Sequence, residues 1–147
     1  FYLEVLEIAR EKKMLQEKFS CRTNLVLLGR LEYGDVIGDL TELNEKINSP
    51  ETRIMFLDFK GTMALRKNDL AAAANAFGEA MELGIAAKGI GAEMLTAEIM
   101  LSMAKLEKAR GNFGRALELA RGAEDKFMFR GRLGDREQAR EFILTLG

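Results

Sequence analysis

Histidine and tryptophan are absent from the 147-residue sequence, and proline and cysteine each occur once. Without histidine, the chain lacks the most common general base and the most common protein ligand for transition metals. Cys21 has no partner for an internal disulfide, and its position in a predicted helix indicates a buried, unreactive thiol. No apolar run approaches the roughly 20 residues that span a bilayer. These absences argue against an enzyme, a cofactor site, a metal site and a membrane-spanning segment.

The composition is that of a soluble globular protein, with 48% hydrophobic and 31% charged residues. A net charge of −1 gives no overall attraction to nucleic acid or to an anionic membrane, although residues 105–147 are more basic than residues 31–59. The single cysteine fits a reducing compartment, so we expect a cytoplasmic protein. Because the chain begins at Phe1 rather than at methionine, we expect it to be one domain, residues 1–147, of a longer protein.

Apolar residues at steps of three and four predict helices along the whole chain, and no alternating pattern is long enough for a strand. The predicted helices cover residues 1–13, 14–33, 36–47, 51–66, 69–83, 94–110, 113–129 and 135 to the end. The first two become one helix if no break occurs near Lys13, so the sequence predicts an all-α fold of about seven to eight helices. Asp35 and Asp135 are predicted helix N-caps.

The predicted breaks between helices recur at long, similar intervals. Gly34-Asp35 and Asn68-Asp69 are 34 residues apart, and Gly111-Asn112 follows 43 residues later. Each break lies between two amphipathic helices, which is the pattern of a helical repeat array. The longer interval contains a glycine-rich stretch after Gly84, which we interpret as a linker between repeats rather than a phosphate-binding loop, because it lacks the GK[ST] element.

Six methionines at helical spacings allow two interpretations, namely an adaptable binding surface or ordinary core packing. We favour core packing for this set, which comprises Met55, Met63, Met81, Met94, Met100 and Met103.

The central stretch, residues 57–84, resembles a tetratricopeptide repeat (TPR) in a specific set of positions. The matching residues are small or aromatic ones at the positions where the two helices of a TPR unit meet, namely Gly61, Ala73, Phe77 and Ala80. The following unit matches in part through Ala104, Gly111-Asn112-Phe113, Ala116 and Ala123. The departures are Leu57 and Ala64 where the family has tryptophan and tyrosine, Ala120 where an aromatic is usual, and Asp39 and Lys46 where small residues are usual.

The resemblance implies antiparallel helix pairs stacked as a right-handed superhelix. The longer third interval looks like the variant TPR arrays of bacterial transcription activators and signalling scaffolds. In the family, the first helix of each pair lines a concave groove that binds a peptide or helix of a partner protein. Transferred by register, the groove positions are Asn24, Leu28, Asp58, Thr62, Arg66, Leu101, Lys105 and Lys108.

Two functional hypotheses follow from the sequence. The first is a non-catalytic protein–protein interaction module that binds a peptide or helix of a partner within a regulator or scaffold. The alternative is a ligand-sensing or self-associating domain of a transcriptional activator, with a homodimer formed through the apolar N-terminal helix. Nucleic-acid binding ranks below both because the net charge is close to zero.

Overall fold

The computed structural model describes all residues from Phe1 to Gly147 and contains seven α-helices and no strand. The all-α prediction, with about seven helices, is confirmed. In chain order the helices are α1 (Tyr2–Leu27), α2 (Tyr33–Ile47), α3 (Pro50–Arg66), α4 (Leu70–Ala86), α5 (Ile90–Ala109), α6 (Phe113–Phe129) and α7 (Leu133–Leu144). None of the seven is both long enough and apolar enough to cross a membrane.

The N-terminal part of the chain differs from the prediction. The sequence from Tyr2 to Leu27 is one continuous helix, so no break occurs at Lys13. The break that was expected at Gly34-Asp35 lies earlier, because Gly29 takes the left-handed conformation (φ +75°) that ends α1. Asp35 is therefore in the first turn of α2 rather than at its N-cap. The interval from Gly29 to Asn68, the left-handed residue that follows α3, is 39 residues and not 34.

Two further boundaries also differ. The N-cap of α7 is Arg132, and the expected cap, Asp135, lies in the first turn of that helix. The glycine-containing stretch after Gly84 is mostly helical, because α4 continues to Ala86 and α5 begins at Ile90.

Four of the connections between helices use the same C-terminal turn. Each has a left-handed residue just after the helix, namely Gly29, Asn68, Gly111 or Gly131. The N–H of the following residue then donates to the carbonyl five positions earlier, as from Asp69 to Ala64 at 2.9 Å. This hydrogen bond is typical of the Schellman motif and closes the end of the preceding helix.

The chain forms two compact units, residues 1–56 and 57–147. In the first unit, α1 packs on α2, and the Phe19 and Phe56 rings meet edge to face with their centroids 5.8 Å apart. Ser49 caps α3 because its Oγ accepts a hydrogen bond from the Thr52 N–H at 3.1 Å. The buried side chains of this unit are those of Phe19, Thr23, Val26, Val36, Leu40, Leu43, Ile47, Thr52, Ile54 and Phe56.

The second unit has an alanine-rich core. Helix α4 packs on α5, α5 on α6 and α6 on α7, with short turns that make consecutive helices antiparallel. Gly61 of α3 faces Phe77 of α4 so closely that an added Cβ would lie 2.5 Å from the ring. The fully buried alanines are Ala73, Ala80, Ala97, Ala104, Ala116, Ala120, Ala123 and Ala139. Small side chains at these positions let the helix backbones approach one another.

Cys21 is exposed on α1, so the predicted buried thiol is wrong. The buried side chains of this helix are Phe19, Thr23 and Val26, and Cys21 projects away from the face that they share.

Candidate functional site

Helices α3, α5 and α7 bring charged side chains together in the second unit. We call this set the α3–α5–α7 face and define it by Asp58, Glu98, Ser102, Lys105, Arg132 and Asp135. Asp58 comes from α3, Arg132 and Asp135 come from the start of α7, and the other three come from α5. The three α5 residues are spaced at i, i+4 and i+7, which places them along one side of that helix.

Asp58 lies against the middle of α5. The Ser102 hydroxyl hydrogen-bonds its carboxylate, and the Lys105 ammonium is near enough to act on its charge. Burial raises the pKa of Asp58, while the hydrogen bond and the lysine charge oppose the rise. The Oδ1 atom of Asp58 is buried and has no hydrogen-bond partner. Asp58 and Lys105, which the sequence predicted to line a groove, are therefore neighbours.

Glu98 lies one turn before Ser102 and faces the start of α7. Its Oε1 is 3.5 Å from Arg132 Nη2, and Arg132 also donates from Nε to Asp135 Oδ2 at 2.7 Å. Burial raises the pKa of Glu98 to about 7, and the carboxylates of Asp135 and Asp58 add to the rise against the opposing charge of Arg132. The Glu98 side chain is still 38% exposed, so water reaches a carboxyl group whose pKa is close to neutral pH.

The far end of α5 also reaches α7. Lys108 Nζ donates to Thr145 Oγ1 at 3.0 Å and lies 5.8 Å from the centroid of the Phe142 ring. The ammonium is thus placed for a cation–π interaction with that ring. Lys108, another of the predicted groove residues, is therefore engaged with the C-terminal end of α7.

The remaining predicted groove residues lie in different environments. Leu101 is only 8% exposed and belongs to the core of the second unit, so its side chain packs inside rather than lining a surface. Thr62 is half-buried on α3, and Arg66 is exposed at the end of that helix. Asn24 and Leu28 belong to the first unit, where both are exposed and Leu28 is the C-cap of α1.

Glu98, Ser102, Arg132 and Asp135 were not among the predicted groove residues. The family register selected Leu101, Lys105 and Lys108 on α5, whereas the polar residues on the side that faces Asp58 are Glu98, Ser102 and Lys105. Their spacing at i, i+4 and i+7 is the signal in the sequence that could have revealed them.

A second surface feature is an open pocket of about 430 Å³ between α4, α5 and α6. Three of the methionines considered above, Met81, Met100 and Met103, line it together with Arg115, Glu118 and Leu119. Arg115 and Glu118 form an ion pair with 3.3 Å between Nη1 and Oε2. Of the other methionines, Met94 is buried and Met55 is exposed, so the set is divided between core and surface.

The side chains of the α3–α5–α7 face can contact a ligand through charge and hydrogen bonding. No group of three or more carboxylate or cysteine side chains is arranged to hold a metal ion. A scan against protein-family models, a search of curated proteins and a search of solved structures each returned no match.

Proposed function

We propose that the protein is a non-catalytic interaction module that binds a peptide or helix of a partner protein across the α3–α5–α7 face. The observation that carries the proposal is the convergence of Asp58, Glu98, Lys105 and Asp135 from three alternate helices. In a stacked array of antiparallel pairs, alternate helices share one surface. A partner lying across that surface would contact α3, α5 and α7 at once.

A TPR-like superhelix within a regulator or scaffold is the architecture that we propose for this module. Support comes from the close approach of Gly61 to Phe77 and from the full burial of Ala73 and Ala80, which are positions that carry the resemblance. The turn residues Asn68 and Gly111 are 43 residues apart, so the proposal concerns a variant with long repeats rather than the 34-residue form.

The charges on the face indicate the chemistry of the partner. Asp58, Glu98 and Asp135 are acidic, whereas Lys105 and Arg132 are basic, and the two signs alternate across α5 and α7. Such a surface favours a ligand that also carries charges of both signs, because like charges placed opposite one another are disfavoured. We therefore expect an extended peptide or an amphipathic helix of mixed charge.

A pull-down from source-cell lysate tests this function. The bait is the native chain, compared with a Lys105→Glu variant of the α3–α5–α7 face and with a control, Arg121→Glu, that reverses one exposed charge on α6. We expect a partner that is retained by the native chain and by the control and is lost by the Lys105→Glu variant. Circular dichroism must show that all three remain helical.

Two outcomes would contradict the proposal. Equal retention of the partner by the Lys105→Glu variant would place binding on another surface. Equal loss in the control would show an effect of net charge rather than of the α3–α5–α7 face.

The N-terminal half of α1 favours a second function, self-association with another copy of this chain. Every residue from 1 to 14 is exposed. The exposed residues include large apolar side chains at helical spacing, namely Phe1, Tyr2, Leu3, Val5, Leu6 and Ile8. A contiguous apolar surface of this kind marks an interaction site. Light scattering tests the idea, since a dimer should appear at high concentration and disappear with Val5→Glu/Ile8→Glu. A native monomer at all concentrations would exclude it.

A further inference from the structure

Helix α7 is attached to the rest of the second unit by a small apolar contact and several polar ones. Ala139 is its only fully buried residue, and Phe142 and Ile143 are partly buried against the core. The polar contacts include Lys108 to Thr145 at 3.0 Å and Arg140 to Glu124 at 3.6 Å. Elements with few buried apolar contacts open at low free-energy cost. Hydrogen bonds and ion pairs at the ends of α7 therefore strongly influence whether the helix stays docked.

The N-terminal end of α7 docks onto Glu98, which has more acidic than basic neighbours. Facing it are Asp58 from α3 and Asp135 from α7, and the one opposing cation is Arg132, also from α7. Lys105, on the same helix as Glu98, acts on Asp58. Arg132 is shared, and its contact with Asp135 (2.7 Å) is shorter than its contact with Glu98 (3.5 Å). The arginine charge is thus directed mainly at Asp135, and a negative charge on Glu98 is only partly compensated.

We propose that proton binding by Glu98 controls the docking of α7, so that the helix is held firmly when Glu98 is neutral and loosely when Glu98 is charged. In the docked arrangement, ionised Glu98 lies close to two other carboxylates in a partly desolvated position. When α7 moves away, Asp135 leaves and water reaches Glu98, so the charged form favours the open arrangement. This device needs no histidine, the residue that usually provides a response near neutral pH.

The expected direction follows from the proton affinity of Glu98. Its pKa is raised to about 7 in the docked structure, from an ordinary value of 4.5. The docked state therefore binds more protons than the open state between these two values, so docking weakens as the pH rises from about 4.5 to about 7 and changes little above that. Each pKa unit that α7 contributes to this rise changes the docking equilibrium by a factor of about 10.

Tryptophan fluorescence can report the docking, because the natural chain contains no tryptophan. Phe142→Trp places the only indole on α7, at a position packed against the core. Between about pH 4.5 and pH 7.5 we expect a reversible red shift of its emission that is complete once the pH passes about 7. In the same background Glu98→Gln should stay docked and lose the transition. Glu141→Gln, which removes an exposed carboxylate from α7 itself, should keep it.

Two further variants separate this mechanism from a merely structural role of Glu98. Asp135→Asn removes a neighbouring carboxylate, so docking should tolerate ionised Glu98 better and the red shift at pH 8 should be smaller. Arg132→Gln removes the cation, so the red shift at pH 8 should be larger. If the red shift at pH 8 is unchanged in both variants, or if Glu98→Gln still shows the transition, the proposal is overturned.

Hydrogen exchange on the natural chain, which has no tryptophan, tests whether the Phe142→Trp substitution itself changes the docking of α7. The amides of α7, corrected for the intrinsic effect of pH on exchange, should lose protection between about pH 5 and pH 7.5 in the native chain but not in Glu98→Gln. Equal protection at both pH values in the native chain would refute the proposal. No partner is needed, so this result is independent of the proposed binding function.

Discussion

Gly61 and Phe77 show how closely two helices can approach when one residue lacks a side chain. A Cβ at position 61 would lie 2.5 Å, 2.7 Å and 3.0 Å from three carbons of the Phe77 ring. The ring is fully buried and cannot turn away without disturbing its neighbours. We predict that Gly61→Ala lowers the free energy of unfolding by about 1–3 kcal/mol through overpacking. Urea denaturation measures this directly.

Gly78, a helical glycine of α4, provides the control for that prediction. An added Cβ there meets nothing within 4 Å. Gly78→Ala should therefore stabilise the protein by about 0.5–1 kcal/mol, because alanine loses less conformational entropy in a helix. If both substitutions stabilise to the same extent, helix propensity and not the Phe77 contact governs position 61.

The raised pKa of Glu98 predicts how the stability of the whole fold, as well as the docking of α7, depends on pH. Its pKa is about 7 in the folded protein against an ordinary value of 4.5, so the folded state binds more protons in that interval. The stability contributed by this group is fully present below about pH 4.5 and is lost as the pH rises through about 7. Unfolding midpoints in urea should therefore fall between about pH 5 and pH 8 in the native chain, and fall less in Glu98→Gln. Identical pH profiles for the two proteins would contradict this.

At the residue scale, the sequence predicted core positions better than surface positions. Ala73, Phe77 and Ala80 are buried as the resemblance implied, because small and aromatic residues at fixed helical spacing have few other uses. Leu101 was placed on a groove and is in the core, since the family register ignores which side of α5 is apolar in this chain. Glu98 was missed because its environment depends on Asp58 and Asp135, which are distant in sequence.

At the scale of elements, the Schellman turns decide where helices end. Asn68 is the one non-glycine residue among the four left-handed turn residues described above, with φ +62°. We predict that Asn68→Gly raises the free energy of unfolding by up to about 1 kcal/mol, because glycine adopts this conformation without steric cost. Thermal or urea unfolding would detect the change.

Asn75 is the matched control for the turn prediction, since it is exposed in the interior of α4. Asn75→Gly should destabilise by roughly 0.3–0.5 kcal/mol, the difference in helix propensity. The two asparagine-to-glycine changes are thus expected to have opposite signs. A destabilising Asn68→Gly would mean that the asparagine side chain itself stabilises the turn.

Helix boundaries were predictable where the sequence has one strong signal and unpredictable where it has two. Helix α6 matches its predicted limits because Gly111-Asn112 is the only break nearby. Before α2 the chain offers both Gly29 and Gly34, and local sequence does not say which one takes a positive φ. Contacts made by the whole unit select Gly29, so the break, and the interval measured from it, could not be fixed from sequence.

At the scale of the whole molecule, a destabilising substitution in the core of one compact unit should affect mainly that unit. Leu40 is fully buried in residues 1–56, and Phe127 is 1% exposed in residues 57–147. Truncation to alanine should cost about 2–5 kcal/mol for Leu40 and about 3–5 kcal/mol for Phe127. Hydrogen exchange should show that each substitution lowers protection mainly in its own unit. Uniform loss throughout the chain would indicate one cooperative body instead.

The alanine core of the second unit has a consequence for how this protein tolerates genetic change. In most proteins, core mutations do harm by removing atoms, but an alanine side chain can lose only a methyl group. Single-nucleotide changes in alanine codons yield mostly larger residues, such as valine, threonine, glutamate and aspartate. At sites such as Ala104 and Ala120, which have no exposed surface, each of these would force two helices apart. Natural variation at the eight fully buried alanines should therefore be confined to glycine and serine, while the surrounding larger apolar positions should also accept other apolar residues of similar volume.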